Sequence, residues 1–170
     1  EEINTRLGNA SVKLVRLDAE LNGESISHVR ANSLLYTKSL VDAEIELMVS
    51  RRESLDSELN TLSQDRQKTI KNLSSIKAEI AGQKVFQDLL NQEMLEVLPL
   101  VKAGVLGSSE RFRLERADAS IKTELKVFKE EVAKTELEIA QIASKIKTVE
   151  KNYQTDIYQK RAEVIKEISE

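Results

Sequence analysis

From Ile45 to Val101 the sequence repeats its seam positions in alternating steps of three and four without a slip. The members are Ile45, Met48, Arg52, Leu55, Leu59, Leu62, Arg66, Thr69, Leu73, Ile76, Ile80, Gln83, Gln87, Leu90, Met94, Val97 and Val101. A heptad sustained for roughly eight repeats commits a segment to an α-helix that buries a narrow seam against another helix. The polar members weaken that seam but fix its register, because a shifted pairing would leave them facing apolar neighbours.

A second heptad runs through Leu114, Ile121, Leu125, Phe128, Val132, Thr135, Ile139, Ile142, Ile146, Val149 and Tyr153. An extra four-residue step then leads to Ile157, Arg161, Val164 and Ile168, which unwinds a supercoil locally. Between the two heptads the pattern breaks around Pro99 to Ser109. Pro99 lacks a backbone donor and costs ~3 kcal/mol inside a helix, and Gly104 and Gly107 punctuate the segment that follows. Two long helices joined by about five residues must be antiparallel neighbours. A turn near Val105 sets Leu90 opposite Ile121, Ile76 opposite Thr135 and Leu62 opposite Val149. Leu55 then faces Asp156, which predicts an Arg52–Asp156 pair. At 1.5 Å per residue such a hairpin is roughly 90 Å long.

Ahead of the hairpin, Ile3, Leu7, Ala10, Leu14, Leu17 and Leu21 share one helical face. Gly23 then stops the helix, since it accepts the left-handed conformation without a Cβ clash. The stretch from Gly23 to about Ala31 has no period and reads as a connector, with a helix restarting between Ala31 and Lys38. Leu34, Leu35, Leu40, Val41, Ile45, Leu47 and Val49 give the second helix a wide apolar face, and Ile157, Tyr158, Val164, Ile165 and Ile168 do the same for the third. A stripe too wide for a two-stranded seam asks for a third element, and the first helix can supply it. The expected fold is therefore all-α: a long antiparallel coiled-coil hairpin with a short third helix packing at its base. One domain of residues 1–170 is expected, with a short helix at 1–22, a connector at 23–36, a long helix at 37–103, a tip turn at 104–108 and a return helix at 109–168. Residues 1 and 170 then lie at the same end, as a domain inserted into another domain requires.

Composition narrows the function classes. Of the 170 residues 32% are charged and 4% aromatic, with no Cys and a net charge of −3. The charged fraction exceeds the usual ~25%, and such a chain packs along seams rather than around a globular core. Without Cys there is no thiolate catalysis and no zinc ribbon. Interspersed charges of both signs give no footprint for nucleic acid. His28, the only His, lies in the polar connector and reads as a solvated residue rather than a metal ligand. Arg52 and Arg66 on the seam read as register or rim residues with apolar stems. Gly104-Val-Leu-Gly107-Ser-Ser lacks the spacing and the Lys of a phosphate-binding loop. No nucleophile, base and oxyanion donor can be assembled, so neither an enzyme nor a cofactor or metal site is expected. No run of ~20 apolar residues exists, so no membrane contact by this segment is expected. Val105 and Leu106 put apolar side chains at a loop apex, where they invite a partner.

The stretch LPLVKAGVLGSSERFRLERA, Leu98 to Ala117, resembles the hairpin tip of the membrane fusion proteins of type I secretion systems, the haemolysin D family of periplasmic adaptors. Pro99, Leu100, Val101, Gly104, Glu110, Arg113, Leu114, Glu115 and Arg116 match the family's tip pattern without gaps. RLDAELNGESI, Arg16 to Ile26, and RRESLDSEL, Arg51 to Leu59, are similar to its first and second helices. The resemblance implies a hairpin inserted between two halves of a lipoyl-like β-domain, in a parent protein anchored in the inner membrane. It implies a periplasmic location and three kinds of partner: a TolC-type outer-membrane channel at the tip, an inner-membrane ABC transporter through regions outside this segment, and neighbouring adaptor protomers in a ring. It places docking on Leu100, Val101, Gly104, Val105, Leu106, Gly107 and Ser108. The chain is then an excised insert of a larger adaptor. One departure stands out. Related adaptors use Arg, Leu and Ser as the channel-contacting set, and the corresponding positions here are Glu96, Leu100 and Gly107. Gly107 is a tolerable N-cap for the return helix, costing only a few tenths of a kcal/mol relative to Ser, with Glu110 three residues on as in a capping box. The competing reading is a structural coiled coil of an intracellular scaffold.

Overall fold

In the computed structural model the described residues form four successive helices: α1 (Glu2–Asn22), α2 (Ile26–Asn32), α3 (Lys38–Lys102) and α4 (Ser108–Ser169). The structure describes residues 2–34 and 36–170, with the side chains of residues 2 and 3 outside that description. Among the described residues there is no strand, and no helix is long and apolar enough to cross a membrane. The chain forms two compact units, one of residues 1–63 with 144–170 and one of residues 64–143.

The second unit pairs α3 with α4 along the predicted seam. Ile76, Leu90, Leu114, Leu125 and Thr135 are buried, and Thr69, Leu73, Ile80, Gln83, Gln87, Met94, Val97 and Val101 are half-buried on α3. Leu90 and Ile121 line one groove, as the register requires. Gln83 and Thr135, two of the polar seam members, find partners. Gln83 Nε2 donates to Glu124 Oε2 at 2.9 Å, and Thr135 Oγ1 donates to the Glu131 carbonyl at 2.8 Å. Lys77 bridges to Glu136 at 3.0 Å across the flank. Arg66 departs from the pattern. It occupies a seam position yet is exposed, because its long stem carries the guanidinium out to water.

The first unit adds α1 and α2 to the same pair of helices. α1 is wedged between α3 and α4 and buries two faces rather than the single one expected. Val12 and Ala19 pack with Val29, Val41, Ile45 and Met48, while Ala10 and Leu17 pack with Ile157 and Val164. Contacts rising in step along both helices, Arg16 with Glu44 and then Glu20 with Arg51, make α1 parallel to α3. Those of Asp18 with Arg161 and Glu20 with Tyr153 make it antiparallel to α4. Arg6 and Leu7 line the same depression as residues 167–170, so α1 begins beside the end of α4.

The connector is not structureless. Ser25 is the N-cap of α2, its hydroxyl accepting from the His28 N–H, and Val29 anchors the two-turn helix in the apolar cluster. His28 is therefore on an exposed short helix rather than in a loop, with Nε2 at 2.7 Å from Glu24 Oε2. The third element covers only part of the wide faces read from the sequence. Leu34, Leu47, Tyr158, Ile165 and Ile168 remain exposed, because one helix shields only the sides of α3 and α4 that flank it. Leu35 and the side chain of Ile3, assigned to apolar faces above, lie outside that description.

A network of buried charge joins the three helices. Glu20 is nearly inaccessible and takes donors from all of them: Arg16 from its own helix, Arg51 Nε at 3.1 Å from α3, and the Tyr153 hydroxyl at 3.0 Å from α4. Arg16 Nε reaches Glu44 Oε2 at 2.6 Å. The predicted Arg52–Asp156 pair is displaced by one residue. Arg51 donates to Asp156 at 2.7 Å, and Arg52 donates to the Ala19 carbonyl at 3.1 Å. The reason is the last turn of α1: its Ala19 carbonyl, which also accepts from the Glu24 N–H, takes Arg52 as a second donor at the negative end of the helix and holds it away from α4. Burial pushes the Arg51 guanidinium down, but its bonds to Asp156 and Glu20 outweigh this and hold it above its ordinary value. Lys160 foremost, with Arg51, holds Asp156 below the usual carboxylate range against a smaller opposing effect of burial. Burial and the Glu20 carboxylate raise the Tyr153 phenol.

Candidate partner interface at the turn between α3 and α4

Pro99 lies in the last turn of α3, which continues to Lys102. Its missing N–H leaves the Leu95 carbonyl without an intrahelical partner, on a residue that is largely exposed. The helix then ends in a Schellman motif. Gly104, at φ +75°, donates to the Val101 carbonyl at 3.1 Å, and Val105 N–H donates to the Leu100 carbonyl at 2.9 Å. The end of α1 repeats this arrangement with Gly23 at φ +67° and Glu24 N–H on the Ala19 carbonyl.

Gly107 takes the N-cap position of α4, and its carbonyl accepts from the Glu110 N–H at 3.1 Å. The Glu110 side chain accepts from Arg113 Nε at 3.0 Å, and Arg113 also reaches Glu93 on α3. These carboxylates hold the Arg113 guanidinium above its ordinary value. The arginine, conspicuous in the sequence pattern, thus ties the two helices together just behind the turn.

Between these caps the five-residue turn presents apolar side chains to water. Val105 is 68% exposed and Leu106 39%, with Leu100 beside them at 44%. Gly104, Gly107 and Ser108 are exposed and Val101 is half-buried toward the seam. Six of the seven residues singled out from the sequence therefore form one accessible surface, and Val101 supports it from within. Sequence reasoning missed Leu95, 78% exposed, and Phe112, 50% exposed with the Arg111 guanidinium 5.0 Å from its ring centroid. Their signal was a large apolar residue at a position the heptad leaves outside the seam. Met94, Leu95, Leu98 and Pro99 line an open groove on α3, and Phe86 and Leu89 line another with Ile121. Among the described residues no group of His, Cys, Asp and Glu could hold a metal ion. The arrangement offers shape and apolar contact, with charge at its rim.

A family model described as AprE, long alpha-helical hairpin, matches residues 1–170. Among solved structures, the chain is similar to the soluble domain of LipC, a membrane fusion protein of a type I secretion system, with a TM-score of 0.86 at 16% identity. That similarity covers 99% of this chain and 81% of the other. No curated protein matches the sequence.

Proposed function

Since the chain belongs to the AprE family of long α-helical hairpins, we propose that it is the adaptor hairpin of a type I secretion system. In this reading it is an interaction element, not an enzyme. Its turn docks on a TolC-type outer-membrane channel in the periplasm, and its parent protein is anchored in the inner membrane beside an ABC transporter. The observation that carries the proposal is the exposed apolar apex, Val105 and Leu106, held between two capped helix ends. Leaving two such side chains in water is unfavourable by ~25 cal/mol per Å² of apolar surface, and a partner at the apex removes that exposure. The beginning of α1 beside the end of α4 supports insertion into a host domain. Exposed Val85, Phe86, Leu89 and Leu95 supply flanks for neighbouring protomers. Glu96 and Gly107, in place of the Arg and Ser of related adaptors, make the docking rest on apolar contact more than on charge.

Residues 1–170 contain no Cys, so cysteines placed in them are unique within this segment. Single cysteines at Leu106 and Ser108, with a control at Glu79, are introduced in the full-length protein and cross-linked in cells with and without an exported substrate. Capture of an outer-membrane channel from the tip positions but not from Glu79 is expected. Sound expression and localisation with no channel captured from either tip position would refute docking and favour the scaffold reading.

A further inference from the structure

Pro99 is not what ends α3. The helix continues past it to Lys102, and its closing bonds belong to Gly104 and Val105, which donate to the Val101 and Leu100 carbonyls. The Pro99 carbonyl itself accepts from the Ala103 N–H at 2.9 Å. A residue with an N–H at position 99 would fit the same ending and add one more bond, so the proline weakens the helix without supplying its stop. Its ring also crowds the Leu95 carbonyl and leaves that oxygen without a partner in the helix.

This happens inside a groove. Asn91, Met94, Leu95, Leu98, Pro99 and Lys102 line it, and their spacing, alternating three residues with one, is that of a helix face that packs against another helix. Leu95 and Pro99 are both lining residues, so the freed oxygen lies between two of them. Met94 and Leu98 are half-buried, while Leu95 and Lys102 are exposed. The groove thus has an apolar floor, one main-chain acceptor and a cation at its end.

We propose that Pro99 serves recognition: it presents the Leu95 carbonyl as a fixed acceptor in this groove to a helix of the docking partner. The inference rests on the docking of the turn proposed above and adds the partner's chemistry. The occupant is an α-helix of the outer-membrane channel with small or apolar residues facing Met94, Leu95 and Leu98. It carries a side-chain N–H or O–H donor opposite the Leu95 oxygen and a carboxylate toward Lys102. A main-chain acceptor in a rigid helix has no side-chain freedom to lose when it bonds, and apolar neighbours that exclude water strengthen the bond it makes. Apolar shape alone would be served as well by alanine or valine at position 99.

The test separates the freed carbonyl from the proline ring. Ser108→Cys in the full-length protein reports capture of the channel by a bifunctional cross-linker in cells, and Pro99→Ala or Pro99→Val is added to it. Both restore the N–H that closes the Leu95 carbonyl, and valine keeps nearly the apolar bulk of proline. Each is expected to lower the yield of channel cross-link about five- to tenfold, the worth of one hydrogen bond. The 170-residue chain carrying Pro99→Ala is expected to melt about 5 °C higher by circular dichroism, so that docking falls while stability rises. Undiminished capture in both variants, or capture diminished by alanine but not by valine, would overturn the proposal and leave the groove with apolar contact alone. A lower Tm in Pro99→Ala would overturn it too, since the proline would then not weaken α3. No capture from Ser108→Cys with Pro99 in place would refute the docking reading itself, and the inference with it.

Discussion

Replacing glycine by alanine at two positions of the second unit is predicted to have opposite effects on stability. Gly82 lies inside α3 at an ordinary helical φ, and a Cβ added there meets nothing within 4 Å. Alanine at this site restricts the unfolded chain and favours the helix, so Gly82→Ala is expected to stabilise by about 0.5–1 kcal/mol. Gly104 also has open space around an added Cβ, but its φ of +75° is left-handed. The cost of Gly104→Ala is therefore purely conformational, about 1–2 kcal/mol. Both residues belong to the same compact unit, so one unfolding transition reports both. Their separation should amount to roughly 1.5–3 kcal/mol, with a rise of about 2–4 °C in Tm per kcal/mol for a chain of this size. Urea and thermal unfolding followed by circular dichroism measure it. A Gly82→Ala variant less stable than the parent would mean that α3 is not a free, continuous helix at that point. A silent Gly104→Ala would refute the Schellman ending of α3.

Leu114→Ala removes a wholly buried side chain from the seam and should cost about 2–5 kcal/mol, near the lower end because a two-helix seam can collapse onto the gap; urea midpoints check this. Gly107→Ser adds a Cβ whose nearest neighbour is Ser109 Oγ at 3.4 Å, and the new hydroxyl can cap α4, so a gain of a few tenths of a kcal/mol is expected in the same assay. Asp156 has a lowered pKa in the folded chain, so its contribution is present above the unfolded carboxylate value, ~3.9, and is lost as pH falls below it. Asp156→Asn should therefore flatten the acid limb of stability against pH; an acid limb as steep as the parent's would count against the ion pairs with Arg51 and Lys160.

The parts legible in the sequence are those fixed by repetition or by a single permissive residue. A heptad of eight repeats averages over any one substitution, which is why Ile76, Leu90, Leu114, Leu125 and Thr135 are buried where the period puts them. Gly23 and Gly104 end their helices because few other residues tolerate that φ. What stayed hidden depends on a third body. The single face read for α1 is the one against α4, whereas Val12 and Ala19 pack against α3. A helix between two partners needs two faces, and periodicity reports the stronger. α2 is seven residues long, too short for a period, and its signals were one cap and one valine. Which of Arg51 and Arg52 reaches Asp156 depends on where α1 ends, a matter of placement rather than pattern. At the turn, apolar residues at an apex were visible, but Phe112 and Leu95 lie outside it and need the seam to be known first.

The unslipped seam of the second unit makes reach a quantity that can be edited. Because α3 and α4 meet through the same alternating steps on both sides, a seven-residue block inserted into one helix and matched in the other leaves every remaining contact in phase. Each matched pair of blocks lengthens the paired helices by about 10 Å without moving the turn's own caps, whereas an insertion of five or six residues in one helix rotates its apolar stripe into water. Under the proposed docking, span and recognition are thereby separable properties of one chain: the turn would keep its partner while the distance to it is altered in fixed increments.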